Sequence, residues 1–286
     1  MANNMQSLYA YVLQQMVAES YLEGITDYTS ALVRQRLGAG NARNGFSSIA
    51  LTRFTPDQSD DFLGRFAIKH QWSDNATSSS TGAVTRPMSP GDIGFIARNG
   101  EQILANSGLS ATLIQEKGTD NYTLSIRSTE YLNWKEGGDF ERDGNGADFA
   151  LLKNGFALAQ LDSLDRYYEW LRSTDSGALP LLPTNAVLSV SGFSLGGHLA
   201  TVFTELRSAA VAKTYTFNAP GRGKWNQSSG SLSDMLAYYR AVLANPEAAG
   251  SAPPEGDSNR AIYLSAVNAR GSLDARRSYD RKLCMT

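Results

Sequence analysis

A serine flanked by two glycines, at residues 192–196, joins a predicted strand to a predicted helix. The run before it is apolar and β-branched, which favours a strand, and the Leu- and Ala-rich run after it favours a helix. Gly192 and Gly196 suit such a sharp turn, because a Cβ at either position would crowd the neighbouring strand or helix. The context therefore predicts a turn that lifts the Ser194 hydroxyl clear of a sheet as a nucleophile, rather than an ordinary glycine-rich turn.

The composition allows one large domain and excludes several kinds of special site. With 286 residues, of which 42% are hydrophobic, the chain can bury a sizeable core. A net charge of −2 provides no basic field for nucleic acid or an anionic membrane. The single cysteine, Cys284, allows neither an intramolecular disulfide nor a cysteine-based metal site. We therefore expect no cofactor, no metal and no nucleic-acid partner.

The sequence shows no membrane span and no Sec-type signal peptide. It contains no apolar run of about 18 residues. Its first residues lack a basic segment followed by an apolar one. This pattern fits a cytoplasmic protein, a protein exported through a C-terminal signal, or a chain whose signal was removed. The oligomeric state is left open.

Hydrophobic periodicity indicates an α/β protein. Apolar residues recur at helical spacing in four segments, 5–23, 28–37, 147–172 and 232–243. Apolar runs or alternation predict strands at 66–68, 110–115, 122–127, 187–191, 213–217 and 261–267. The alternation of strands and helices in the middle of the chain favours a mostly parallel sheet flanked by helices. Between these elements, residues 40–90 are rich in Gly, Ser, Thr and Asn, which predicts loops around one short strand.

These elements fit a single domain over residues 1–286. We expect a helical and loop-rich N-terminal extension at 1–107, followed by the core sheet and its helices at 108–275. The last residues, 276–286, have little core pattern and predict an irregular tail.

Three segments resemble bacterial lipases of the α/β-hydrolase superfamily. They are the elbow at 191–199, the strand end Asn218-Ala219-Pro220-Gly221, and residues 124–130. The likeness covers roughly residues 108–221. It is stronger to the catalytic domain of lipases that often carry calcium-binding Gly/Asp repeats, and weaker to the class 3 (fungal-type) lipases. The resemblance implies an α/β-hydrolase-like fold and hydrolysis of carboxylic esters, with a lipid or small ester as substrate.

The resemblance also implies an oxyanion hole formed by Thr129 and Leu195. In those lipases an Arg-Gly-Thr strand end supplies one donor, and it corresponds here to Arg127-Ser128-Thr129. The N–H of Leu195, directly after the nucleophile, would be the second donor. Ser128 stands where the family has glycine, which leaves the backbone less freedom. The alternative is an ordinary strand end with a surface threonine.

The chain contains two histidines, His70 and His198, although a serine nucleophile needs a base. In α/β hydrolases the acid and the histidine follow the serine along the chain, and no histidine follows His198. We expect His198 to lie in the core or behind the site and His70 to bond locally.

The acid should follow the predicted strand at 261–267. Asp274 is the nearest carboxylate, with Asp257 and Asp280 as lesser options, and each also fits a solvated surface charge.

Three explanations of the missing histidine remain open. The histidine lies beyond residue 286, the base comes from another position, or catalysis has been lost. The leading hypothesis is a lipase or esterase with Ser194 as nucleophile. The alternatives are a catalytically incomplete hydrolase module that binds lipid or a protein partner, and a phospholipase.

Overall fold

The structure is a computed structural model. It describes residues 2–20, 22, 25, 28–40, 52–73, 95–96, 102–103, 107–128, 156–174, 179–223, 230–247, 250–257 and 259–270. The helices α1 to α7 are Ala2–Ala18, Ser30–Ala39, Pro56–Arg65, Leu158–Arg172, Leu195–Leu206, Leu232–Ala244 and 259–270. The strands β1 to β7 are Phe66–Ser73, Phe95–Ile96, Gln102–Ile103, Ser110–Glu116, Asn121–Ile126, Val187–Phe193 and Val211–Phe217.

A mixed five-stranded sheet forms the centre of the fold, in the order β1-β4-β5-β6-β7. The pairs β1–β4 and β4–β5 are antiparallel, whereas β5–β6 and β6–β7 are parallel. The hairpin predicted from 110–127 is confirmed. Its short turn, with Gly118 at φ 74°, makes β4 and β5 antiparallel. The fold is therefore α/β, but the sheet is half parallel and not mostly parallel as predicted.

One face of the sheet is apolar and packs against α4, α5 and α6. Leu113, Leu124 and Val190 point to this face and are completely buried. They belong to one hydrophobic cluster that also contains Leu164 of α4 and Phe203 of α5. This cluster is the main core of the protein and holds the elbow unit β6–α5 in place.

The opposite face of β5 and β6 is polar and is covered by α1. Ser125 and Ser191 point there because side chains alternate along a strand, and their hydroxyl oxygens lie 2.7 Å apart. Tyr11 of α1 places its hydroxyl 3.0 Å from the Ser189 hydroxyl and stacks on Tyr215, with 3.7 Å between ring centroids. Helix α1 therefore docks on this part of the sheet largely through polar and aromatic contacts.

A second apolar cluster fixes α1 beside this polar region. It joins Leu13 and Val17 of α1 to Phe62 of α3 and Ile114 of β4. Met5, Leu8 and Tyr9, at the start of α1, are exposed. The apolar residues of the first part of the helix therefore do not contribute to the core.

The strand predicted at 261–267 is wrong, since residues 259–270 are helical. Ile262 and Ala266 are buried four residues apart and pack into the main core. This spacing matches one face of a helix, which explains how an apolar run typical of a strand is accommodated as α7.

Helix α3 lies in a stretch that the sequence predicts as loops. Thr55 accepts a hydrogen bond from the Gln58 N–H, and the Gln58 side chain accepts one from the Thr55 N–H. Pro56 occupies the first turn, where its missing N–H costs nothing. This capping box identifies the helix start although its few apolar residues do not.

Two buried aspartates of α4 tie three helices together. Asp162 and Asp165 are each 3% exposed. The Arg207 guanidinium, at the end of α5, donates to Asp165 at 2.6 Å. Arg240 of α6 donates to both aspartates, at 2.5 Å and 2.9 Å. Each aspartate therefore has two arginine partners, since Asp162 also pairs with Arg166, and the network offsets the cost of burying the two carboxylates.

We expect Asp165→Ala to lower the free energy of unfolding by about 2 kcal/mol, because it removes a buried carboxylate that accepts charge-assisted hydrogen bonds from both Arg207 and Arg240. Glu169→Ala is a matched control, since Glu169 pairs with the same Arg207 but is 56% exposed. An exposed pair is worth about 0.5 kcal/mol. Urea unfolding measures both variants. Equal losses in the two variants would contradict the role given to the buried network.

Candidate active site

Ser194 occupies a strained turn between β6 and α5. Its backbone has φ 52° and ψ −120°, in a region that side chains other than glycine rarely adopt. The Ser194 N–H donates to the Phe217 carbonyl at 2.9 Å, and the Ser194 carbonyl accepts from the Gly197 N–H at 2.9 Å. Such a conformation costs about 1–3 kcal/mol and persists only where its surroundings impose it. The predicted strand–turn–helix is confirmed, with Ser194 half-buried.

The glycines around Ser194 are required by close backbone contacts. A Cβ on Gly192 would lie 2.0 Å from the Gly196 carbonyl oxygen. A Cβ on Gly196 would lie 2.3 Å from the Ile126 carbonyl oxygen and 2.6 Å from that of Arg127. These distances seat the first turn of α5 directly against the carboxyl end of β5.

Leu195, one of the two predicted oxyanion donors, directly follows Ser194, and its role as a donor stays a prediction. Leu195 is the first residue of α5, so its N–H has no acceptor within the helix. The partial positive charge of the helix N-terminus lies beside it. Thr129, the other predicted donor, lies outside the described residues and stays a prediction. Ser128 directly precedes it and is the last described residue after β5.

His198 is a buried side chain, as the sequence predicts, and both of its ring nitrogens are engaged. It is 1% exposed. Its Nδ1 lies 2.8 Å from the Gly221 carbonyl oxygen, which can only accept, so Nδ1 carries the proton. Its Nε2 accepts a long hydrogen bond, 3.5 Å, from the Ala157 N–H. Burial lowers the His198 pKa, which the Gly221 bond only partly offsets. The ring is therefore neutral and already occupied.

His70 lies far from Ser194 on the sheet. It is on β1, and two strands, β4 and β5, separate β1 from β6. Neighbouring strands lie about 4.8 Å apart, so β1 and β6 are separated by about 14 Å. Its Nδ1 lies 2.9 Å from the Tyr167 hydroxyl, and its ring packs against Trp170. Burial lowers the pKa of His70 to about 4. Neither histidine is placed to take a proton from Ser194.

The candidate acids do not complete a triad within the described residues. Asp274 and Asp280 lie outside them. Asp257 is exposed, and its carboxylate accepts the Asn259 N–H at 2.7 Å, at the start of α7. The strand expected to deliver the acid is instead the helix α7. Asp257 therefore bonds to backbone at a helix start, and Asp274 remains an untested expectation.

Sequence reasoning missed Glu19, which reaches the segment after β5. Its carboxylate accepts the Ser128 N–H at 3.0 Å and the Ser128 hydroxyl at 2.8 Å. Burial raises the pKa of Glu19, while the bonds from Ser128 and Gln15 and the charge of Arg127 act in the opposite direction. The signal available in the sequence is that Glu19 is the first charged residue of the chain, just after an uncharged helix.

The described part of the chain offers neither a metal-ligating cluster nor a membrane span. Within it, no three or more His, Cys, Asp or Glu side chains come together as a metal site would need. Among its helices, none is both long and apolar enough to cross a membrane.

Comparison with known proteins yields little beyond this geometry. No family model and no curated protein matches the sequence. Among solved structures, the chain is similar to the lipase from Rhizopus microsporus var. chinensis, with 12% identity and a TM-score of 0.36. The match covers 77% of this chain and 59% of the fungal lipase chain. A TM-score this low carries no argument about function, and the expected bacterial lipase family stays a prediction.

The lowered pKa of His70 predicts an acid-dependent loss of stability. Unfolded chains bind a proton here below about pH 6.5, and the folded protein does so only near pH 4. The free energy of unfolding should therefore fall by up to about 3 kcal/mol as the pH drops through this window. Urea unfolding at pH 7.5 and pH 4.5 tests this in wild type and His70→Gln. The wild type should lose more stability than the variant, and equal losses would refute the assignment.

Proposed function

We propose that this chain is a serine hydrolase of carboxylic esters with an α/β-hydrolase-like fold, in which Ser194 is the nucleophile. The observation that carries the proposal is the strained backbone of Ser194, at φ 52°, between a parallel strand and a helix. Strain of this kind concentrates at functional sites. The contact of Gly196 with the end of β5 supports the proposal, because it leaves no room for a side chain there.

The reaction would proceed by covalent catalysis at the carboxyl end of β6. The Ser194 Oγ attacks the ester carbonyl carbon, and the carbonyl oxygen takes up the negative charge of a tetrahedral intermediate. The Leu195 N–H, with Thr129 as the second proposed donor, would bind that oxygen. Each such donor is worth roughly 3 kcal/mol in the transition state. The serine proton passes to water, the carbon–oxygen bond to the alcohol breaks, and the departing alkoxide takes a proton from water. A second water molecule then attacks the acyl-enzyme, which releases the carboxylic acid and restores the Ser194 hydroxyl.

The rate of this reaction depends on which group takes the proton from the Ser194 hydroxyl. In a serine protease, loss of the histidine costs roughly a millionfold in kcat, yet roughly a thousandfold acceleration over water remains from binding and the oxyanion hole. Because His70 and His198 are both engaged elsewhere, we expect slow hydrolysis. An imidazole supplied from solution should accelerate it, provided that it reaches Ser194.

A second candidate function is a hydrolase-fold module that binds lipid or a protein partner without turnover. The observation that favours it is His198, whose two ring nitrogens contact Gly221 and Ala157 instead of the Ser194 hydroxyl. The phospholipase alternative is a matter of substrate class and stays a prediction.

Covalent labelling separates the two candidates. In the reaction with a fluorophosphonate, a bond forms from the Ser194 Oγ to phosphorus, fluoride leaves, and the serine proton passes to solvent or imidazole. We expect intact-mass spectrometry to find one adduct, mapped to Ser194, and to find it forming at least tenfold faster with added imidazole. Ser194→Ala should remain unlabelled with and without imidazole.

Two outcomes would overturn the hydrolase proposal. The first is folded wild-type protein that acquires no adduct at either imidazole concentration. The second is unchanged turnover of a p-nitrophenyl ester by Ser194→Ala, since imidazole and protein surfaces also hydrolyse such esters. In either case, binding of the unlabelled protein to sedimented phosphatidylcholine vesicles would support the binding module.

A further inference from the structure

Two side chains near the end of α1 reach the carboxyl ends of β5 and β6, and we name this pair, Gln15 and Glu19, the α1 clamp. The Gln15 amide donates to the Ile126 carbonyl at 2.9 Å and to the Glu19 carboxylate at 2.9 Å. Its carbonyl oxygen accepts the Ser191 hydroxyl at 2.8 Å. Glu19 in turn accepts both donors of Ser128. The clamp therefore bonds to β5, to β6 and to the segment after β5.

The α1 clamp bonds to backbone groups that also contact the turn at Ser194. The Ile126 carbonyl, bonded by Gln15, is also the group against which Gly196 packs. Ser191 lies three residues before Ser194 on the same strand. Ser128 continues the backbone of Arg127, whose carbonyl oxygen also contacts Gly196. A shift of this backbone by a few tenths of an ångström would therefore move the first turn of α5.

We propose that Glu19 is a positioning residue for the Ser194 elbow and its oxyanion donors, acting through Ser128; this inference rests on the proposed hydrolase function. The serine at 128 gives Glu19 two donors, where a glycine would offer the N–H alone. Hydrogen bonds to a carboxylate are shorter and about twice as strong as bonds between neutral groups. Ser128 replaces the glycine of the lipase pattern, and its hydroxyl donates to Glu19 at the end of α1.

Helix α1 does not need Glu19 in order to dock. Leu13 and Val17 are completely buried in the second apolar cluster, and Tyr11 stacks on Tyr215. Glu19 is half-buried, and partial removal of a carboxylate from water costs free energy that an apolar or amide side chain would avoid. A purely structural helix end therefore gains little from Glu19, whereas a fixed segment after β5 gains two strong bonds.

The test compares variants of the clamp with a matched variant elsewhere on α1. Glu19→Ala removes both acceptors, and Ser128→Ala removes the hydroxyl alone. Tyr11→Phe removes a different bond between α1 and the sheet, at Ser189, without touching the segment after β5. The readouts are the second-order rate constant of Ser194 phosphonylation, the split between kcat and KM for a p-nitrophenyl ester, and the melting temperature.

We expect Glu19→Ala to slow phosphonylation and kcat roughly tenfold to a hundredfold with KM nearly unchanged, because misplaced donors act in the transition state. Ser128→Ala should show a smaller loss, Glu19→Gln should recover part of the rate, and Tyr11→Phe should keep the wild-type rate.

If Glu19→Ala does not fold, the comparison of Ser128→Ala with Tyr11→Phe decides. Wild-type rates in both Glu19→Ala and Ser128→Ala, or an equal loss in Tyr11→Phe, would overturn the inference while leaving the hydrolase proposal intact. An unlabelled wild type would instead overturn the hydrolase proposal.

Discussion

The packing of Gly196 against the carbonyl oxygens of Ile126 and Arg127 is the contact on which the rest of this structure depends. No side chain fits between these atoms, since even a Cβ would lie 2.3 Å from the Ile126 oxygen. The contact brings the N-terminus of α5 to the carboxyl end of β5 and forces the chain through a sharp turn at Ser194. The contact thereby accounts for the positive φ of Ser194 and brings the first N–H groups of α5, including that of Leu195, to this end of the sheet.

The two faces of the sheet support this contact in different ways. The apolar face supplies stability through the main core and through the aspartates of α4, which tie α5 and α6 to the same unit. The polar face supplies geometry, because the side chains of Gln15 and Glu19 bond to individual backbone and hydroxyl groups at the strand ends. Apolar packing resists unfolding, and the hydrogen bonds add a preferred direction and distance to individual groups at the strand ends.

Local signals made part of the fold predictable from the sequence. The elbow and the hairpin at 110–127 depend on residues close together in the chain, and both were predicted correctly. Helix α7 was not, because an apolar run such as 261–267 suits a strand and a buried helix face equally well until its neighbours are known. Helix α3 was missed although Thr55 and Gln58 carry a capping signal.

The site itself was only partly predictable. Ser194 follows from a local motif, whereas Glu19 and Ser128 are 109 residues apart, and no pattern in a single sequence connects them. The roles of the two histidines could not be predicted from the sequence either. Their residue type suggests a catalytic base, and only the structure shows that His198 bonds to Gly221 and that His70 lies beside Tyr167.

A crystal structure of the protein after treatment with a fluorophosphonate tests the role of Ser194 most directly. We expect phosphorus bonded to the Ser194 Oγ, with the phosphonyl oxygen about 2.7–3.1 Å from the Leu195 nitrogen. Ser194 should keep its positive φ, and Glu19 should remain bonded to Ser128. A phosphonyl oxygen turned away from Leu195 would contradict the role given to that N–H, and phosphorus attached to another residue would contradict Ser194 as the nucleophile.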